Sequence, residues 1–156
     1  MFDHCETLFD IEELKYLNTE DVTDFSYMFD YTCKINNIKA LENWDTSKSE
    51  SFKHMFALDS LITNLSPLKN WNVSKCKDFS FMFYCLGFIE NIKPLENWNV
   101  SNGNNFSSMF VNCGLSDLKP VENWNGSNGN DFSCMFEDWG MKNLKSLEKW
   151  NFSKCR

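Results

Sequence analysis

No apolar run in this 156-residue chain approaches the ~18 residues that a membrane-spanning helix requires. Basic residues are outnumbered: 15 Lys and Arg stand against 22 Asp and Glu, giving a formal charge of -7. A chain of that sign offers no broad phosphate-binding face, which excludes nucleic acid as the main partner. Simple attraction to anionic lipid is excluded by the same sign. Histidine is limited to His4 and His54. No nucleophile–base pair, glycine-rich phosphate loop or zinc-type spacing accompanies them, so no enzyme, cofactor or metal site is expected. The N-terminus, Met1-Phe2-Asp3-His4-Cys5-Glu6, lacks the basic segment and apolar stretch of a secretory signal. The expected location is intracellular or in a virion if the chain is complete, and a cell surface if a signal was removed. The seven cysteines, Cys5, Cys33, Cys76, Cys85, Cys113, Cys134 and Cys155, contain no Cys-x-x-Cys and cannot all pair within the chain. Reduced, mostly buried thiols are expected.

What the chain does have is one pattern repeated five times. It reads Phe25-Ser26-Tyr27-Met28-Phe29, then Phe52, Met55 and Phe56, then Phe79, Met82 and Phe83, then Phe106, Met109 and Phe110, then Phe132, Met135 and Phe136. Trp44, Trp71, Trp98 and Trp124 each stand eight residues ahead of the last four copies, and Trp150 opens another. A fixed period of 26–27 residues marks a stacked repeat protein, because one unit is too small to bury its own apolar face. An isolated copy should be unfolded, and all twenty residues of these columns are expected in the core. For the Trp column, an exposed aromatic strip is the competing reading.

Within a copy, Phe79, Met82 and Phe83 have the i, i+3, i+4 spacing of a helix face. The preceding column, Asp24, Ser51, Asp78, Asn105 and Asp131, holds only helix N-cap formers. A short helix per copy is therefore expected. In the second half of a copy, apolar residues recur every third position, as at Ile89, Ile92, Leu95 and Trp98. Pro67, Pro94 and Pro120 share one column there and forbid a long helix. An extended, turning path is expected, with a short strand near Trp98-Asn99-Val100 that stacks into a parallel sheet. Residues 1–16 break the pattern and read as an N-terminal cap helix. The solenoid then covers 17–156, with copies near 17–43, 44–70, 71–97, 98–123 and 124–149 and a partial copy at 150–156. The fold class is thus α/β.

The segments Trp44-Asp45-Thr46-Ser47, Trp71-Asn72-Val73-Ser74, Trp98-Asn99-Val100-Ser101, Trp124-Asn125-Gly126-Ser127 and Trp150-Asn151-Phe152-Ser153, each but the last followed by a Phe-x-x-Met-Phe run, carry a resemblance. They resemble the BspA-like leucine-rich repeat family, in the variant found in surface lipoproteins of Mycoplasma and other bacteria. Leu17 stands where the first copy would have Trp. The resemblance implies a right-handed, leucine-rich-repeat-like solenoid that binds or adheres and does not catalyse.

Solvent-facing columns are the candidate contact residues. Glu42, Lys69, Glu96, Glu122 and Glu148 stand two residues before each Trp; Lys39, Ser66, Lys93, Lys119 and Lys145 stand five before. These rows could be a recognition face for a protein partner or a solvated surface with weak ion pairs. The Asn rows, Asn43, Asn70, Asn97 and Asn123 beside Asp45, Asn72, Asn99, Asn125 and Asn151, are expected to hydrogen-bond from coil to coil. Six Asn-x-Ser sequons, at Asn64, Asn72, Asn99, Asn105, Asn125 and Asn151, read as local turn caps or as glycan acceptors. Trp139 lies outside the Trp column and is a candidate exposed contact, for a glycan among other ligands. The C-terminal edge stops inside a new copy, so self-association there is the structural alternative to partner binding.

Overall fold

The computed structural model describes residues 1–87, 89, 91–137 and 143–155. Each copy makes one coil of a stack. Parallel bridges join Asp24 to Ser51, Ser51 to Asp78, Asp78 to Asn105 and Asn105 to Asp131. Their spacing follows that of the methionines, so every coil sits in the same register as its neighbour.

The bridges lie in the column expected to cap helices, and no α-helix forms among the described residues. The Phe-x-x-Met-Phe segment is instead a ladder of turns. The N–H groups of Phe79, Phe81, Phe83 and Cys85 donate to the carbonyls of Asn105, Ser107, Met109 and Val111 in the next coil, at 2.8–3.0 Å. The intervening N–H groups of Met82 and Tyr84 fold back onto the carbonyls of Phe79 and Phe81. This path needs left-handed backbone just before each methionine: Tyr27, His54, Phe81, Ser108 and Cys134 have φ of 55–58°. Four residues on, Tyr31, Leu58, Cys85 and Asn112 repeat it, with φ of 51–64°. Each such residue costs roughly 1–2 kcal/mol. The intercoil bonds offset that cost, whereas an isolated helix of one or two turns has no such compensation. Asp24, Asp78, Asn105 and Asp131 do cap: each Oδ1 accepts the N–H two residues on, at 2.8–3.0 Å. The turn they close is a bend into the ladder, not a helix.

The helical segments that do form are short 3-10 turns: Glu12–Tyr16, Lys39–Leu41, Ser66–Leu68, Lys93–Leu95, Lys119–Val121 and Lys145–Leu147. Their three-residue pitch explains the apolar recurrence at every third position. Proline fits at their first positions because the first N–H groups have no helical partner. The strand expected near Trp98 is absent; Trp98 and Val100 point into the core while Asn99 bends the chain between them. The cap helix expected over residues 1–16 is also absent outside Glu12–Tyr16. Met1-Phe2 lies 27 residues before Met28-Phe29 and continues the repeat. Phe2 N–H donates to Met28, His4 N–H donates to Asp30, and the Phe2 ring stacks on Phe29 at 5.7 Å.

The core is a set of aromatic columns. Every expected core residue is buried except Phe132 and Phe136, which are half-buried on the last coil. Phe29, Phe56, Phe83, Phe110 and Phe136 stack with centroids 5.3–6.0 Å apart. Trp44, Trp71, Trp98, Trp124 and Trp150 are buried too. Each indole N–H donates to a carbonyl of the preceding coil, at Leu14, Leu41, Leu68, Leu95 and Val121, within 2.9–3.1 Å. That bond lets a large ring with a polar edge enter the core without an orphaned donor.

Gly103 and Gly129 are part of this packing, each lying against the ring of the Phe three residues on. A Cβ at Gly103 would strike the Phe106 ring and come within 3.0 Å of the Val100 carbonyl. Phe106 is held between Phe79 and Phe132, at 5.3 and 5.0 Å, and cannot lean away freely. Gly103→Ala should therefore lower stability by about 1–3 kcal/mol, read as a shift in the urea midpoint. An unchanged midpoint would show that the ring has room to move.

One carboxyl is packed into the core. Asp59 occupies the column that holds Thr32, Leu86 and Cys113 in other coils, and it is fully buried. Its Oδ1 accepts the Thr32 N–H and hydroxyl and the Cys33 N–H at 2.7–2.9 Å. Its Oδ2 has no hydrogen-bond partner among the described residues. Burial pushes its pKa up to about 7.

Candidate interaction surface

The ladder turns two columns of side chains outward, and on the first three coils they are mostly aromatic. His54 lies between Tyr27 and Phe81, with ring centroids at 4.8 and 4.5 Å and planes within 20° of parallel. Tyr84 packs against Phe81 at 5.4 Å. Beside this row, His4 meets Tyr31 at 5.2 Å, and Leu58 continues the line. Tyr27, Tyr31 and Leu58 each keep 37–38% of their surface exposed. The left-handed backbone puts them there, by turning the residue before each methionine away from the core. In the last two coils the same columns change to Ser108, Asn112 and Cys134.

Charge is sparse on this face. Lys53 lies at its margin, with Nζ 5.8 Å from the Tyr27 ring centre. Asp30 lies beneath, its Oδ2 3.8 Å from His54 Nδ1 and its Oδ1 unpartnered. Burial raises the Asp30 pKa, with His54 opposing, and burial lowers that of His54, with Asp30 opposing. Burial thus favours the neutral form of the His54 imidazole, and the rings stacked on its two sides, Tyr27 and Phe81, are apolar faces.

The charged columns expected as contacts lie elsewhere, beside the 3-10 turns. Glu42, Lys69, Lys93, Glu96, Lys119 and Glu148 are exposed and Glu122 is half-buried. Lys93, Glu96, Lys119 and Glu122 come together with Asn97 and Asn123 around a shallow depression of about 400 Å³. Within it Lys119 Nζ lies 3.3 Å from Glu122 Oε2. Glu42, Lys69 and Glu148 are not part of it. Trp139 lies outside the described residues.

The asparagine row that begins at Asp45 acts differently from expectation. Asp45, Asn72, Asn99, Asn125 and Asn151 accept the N–H two residues ahead, at 2.9–3.2 Å, and so cap turns within their own coil. Asn64 and Asn105 do the same, so all six sequons close local turns. Amide bonds between coils come from another column, Asn102 to the Ser74 carbonyl and Asn128 to the Ser101 carbonyl. That column and its neighbour line a polar groove of about 830 Å³ with Lys75, Lys77 and Lys154. Of the seven thiols only Cys76 and Cys113 are buried, so burial is the exception and not the rule. Among the described residues no three His, Cys, Asp or Glu side chains converge on one point. No helix of the described residues is long and apolar enough to cross a membrane.

The aromatic ridge was readable only in part. Tyr27, His54 and Phe81 share one column of the repeat, which a helix with i, i+3 and i+4 buried would also turn outward, but their stacking from coil to coil depends on the ladder.

Comparison with known proteins adds the following. No curated protein matches the chain. Among solved structures, an internalin (inlF) from Listeria monocytogenes str. 4b F2365 is similar at 13% identity and a TM-score of 0.41, over 82% of this chain and 42% of that one. An internalin C2 (inlC2) from the same strain is similar at 16% identity and a TM-score of 0.38, over 91% of this chain and 72% of that one. The chain thus spans less than half the length of the first of them. The family model described as "Mycoplasma protein of unknown function, DUF285" matches residues 1–114 and 87–156, which together span the sequence. By its repeats and its whole-length match, the chain belongs to that Mycoplasma family of unknown function.

Proposed function

We propose that this chain is a non-catalytic, BspA-like repeat scaffold that binds a protein partner through the outer face of its ladder. One observation carries the reading: Tyr27, Tyr31, Leu58 and the half-buried Phe81 form an apolar ridge left partly open to solvent by the described residues. Contiguous apolar surface of this kind marks interaction sites, with aromatic residues as anchors. Rigid spacing from coil to coil would hold those anchors in place before binding. The ring faces are largely spent on one another, so ring edges meet solvent and a sugar has little platform to stack on. The glycan reading therefore rests on Trp139 alone, and a silent glycan array would remove it.

The competing contact surface is the charged corner, with Glu42, Lys69, Lys93, Glu96, Lys119, Glu122 and Glu148. Capture experiments from cells of the native source separate the two. Tyr27→Ser with Phe81→Ser should abolish capture of partners, whereas Glu96→Lys with Glu122→Lys should leave the set unchanged. The reverse outcome would move the binding function to the corner.

A second reading, self-assembly, is favoured by the C-terminal edge. There Phe132, Met135, Phe136, Leu147 and Trp150 line an apolar groove of about 400 Å³, and Leu144 and Phe152 are 56% and 42% exposed.

A further inference from the structure

We infer that the C-terminal edge of the stack is built to receive the N-terminal coil of a second copy of this chain, head to tail and in phase with the repeat. The inference rests on the self-assembly reading and names its occupant.

Along the Phe-x-x-Met-Phe segment the ladder is directional: N–H groups of one coil donate to carbonyls of the next, whereas at its entry Glu50, Lys77, Asn104 and Asn130 donate back to the coil before. Phe110 N–H, for example, donates to the Met135 carbonyl at 2.9 Å. The matching donor on the last coil is Phe136 N–H, and the matching acceptor on the first coil is the Met1 carbonyl. A second copy continuing the register would present Met1 to Phe136 and lay its Phe2 ring on the Phe136 ring. Phe2 already makes that contact with Phe29 within the chain.

Charge separates along the stack in the same sense. Residues 1–24 hold eight acidic side chains and one lysine, whereas residues 142–156 hold five basic side chains and one glutamate. The columns pair them. Lys154 occupies the column of Lys48 and Asp21, which meet at 2.6 Å across adjacent coils. Asp21 of a second copy would follow Lys154 in that column. Likewise Lys145 would face Glu12, and Glu148 would face Lys15. One like-charged meeting remains, Glu137 over Asp3. A C-terminal edge docked on its own copy would set lysine against lysine instead. A head-to-tail contact is heterologous, so it does not close and grows into open chains.

Charge reversal at both ends tests this. The purified chain should gain mass steadily with concentration in sedimentation equilibrium, and less so at high salt. Lys145→Glu with Lys154→Glu should weaken self-association about tenfold or more, and so should Glu12→Lys with Asp21→Lys. An equimolar mixture of the two variants should recover the wild-type behaviour, since each altered edge then meets a complementary one. All four side chains lie on the surface, so circular dichroism should show both variants folded. A wild-type chain that stays monomeric sinks the self-assembly reading and this one together. A closed dimer indifferent to the N-terminal reversal, or a mixture no better than either variant alone, sinks the head-to-tail inference and leaves self-assembly standing.

Discussion

Asp59→Asn should flatten the pH dependence of stability. Between about pH 4 and pH 7 the folded chain keeps the Asp59 proton, because burial holds the pKa near 7 against an ordinary 3.8. The unfolded chain has already released it. Stability therefore falls as pH rises through that window and stays low above it. The full difference is on the order of 2–4 kcal/mol. An amide keeps the acceptor that Thr32 and Cys33 use and has no charge to bury, so the variant should lose little between pH 4 and pH 8. Some slope should remain from Asp30, which burial also raises. His54, lowered by burial, acts in the opposite sense below about 6.5. Urea midpoints measured across the range decide it: parallel curves for the two proteins would show that Asp59 is solvated or paired after all.

Phe83→Ala should cost about 3–5 kcal/mol. Phe83 is fully buried and stacks on Phe56 below and Phe110 above, with Trp98 at 6.4 Å. Its loss opens a cavity in the middle of the stack, where neither neighbouring coil can collapse without breaking the ladder. A typical domain has about 5–15 kcal/mol in all, so this one change removes a large share. Phe136→Ala should cost only about 1–2 kcal/mol, because that ring is half-buried and has a single stacking neighbour among the phenylalanines. Since coils are held mainly by their neighbours, Phe83→Ala should also broaden the urea transition as the two halves begin to unfold separately. Equal losses at the two positions would contradict a continuous core.

Much of the fold is legible in the chain itself. The spacing of Met28, Met55, Met82, Met109 and Met135 sets the number and register of the coils. The identity of the Phe, Met and Trp columns sets what lies inside, since side chains of that size recur at one register only if that register faces the core. The capping chemistry of Asp24, Asp78, Asn105 and Asp131 was also readable. The phase of Met1-Phe2 also marks the N-terminal coil, but Cys5, Leu8, Phe9, Ile11 and Leu14, set among acidic residues, mimic a helical stripe and point to a cap helix instead.

The local geometry was not legible, and the physical reason is specific. Phe79, Met82 and Phe83 satisfy a helix and a ladder of turns equally well, because both bring i, i+3 and i+4 to one side. What separates them is where the N–H groups of Phe81 and Phe83 find acceptors. Those acceptors are Ser107 and Met109, a whole coil away, and no window along the sequence contains them. The same choice forces Tyr27, His54 and Phe81 into left-handed backbone and so turns an aromatic row outward. Composition and period fixed the spine of this protein; the stacking of one coil upon the next decided its backbone path and, through it, which surface is free to bind.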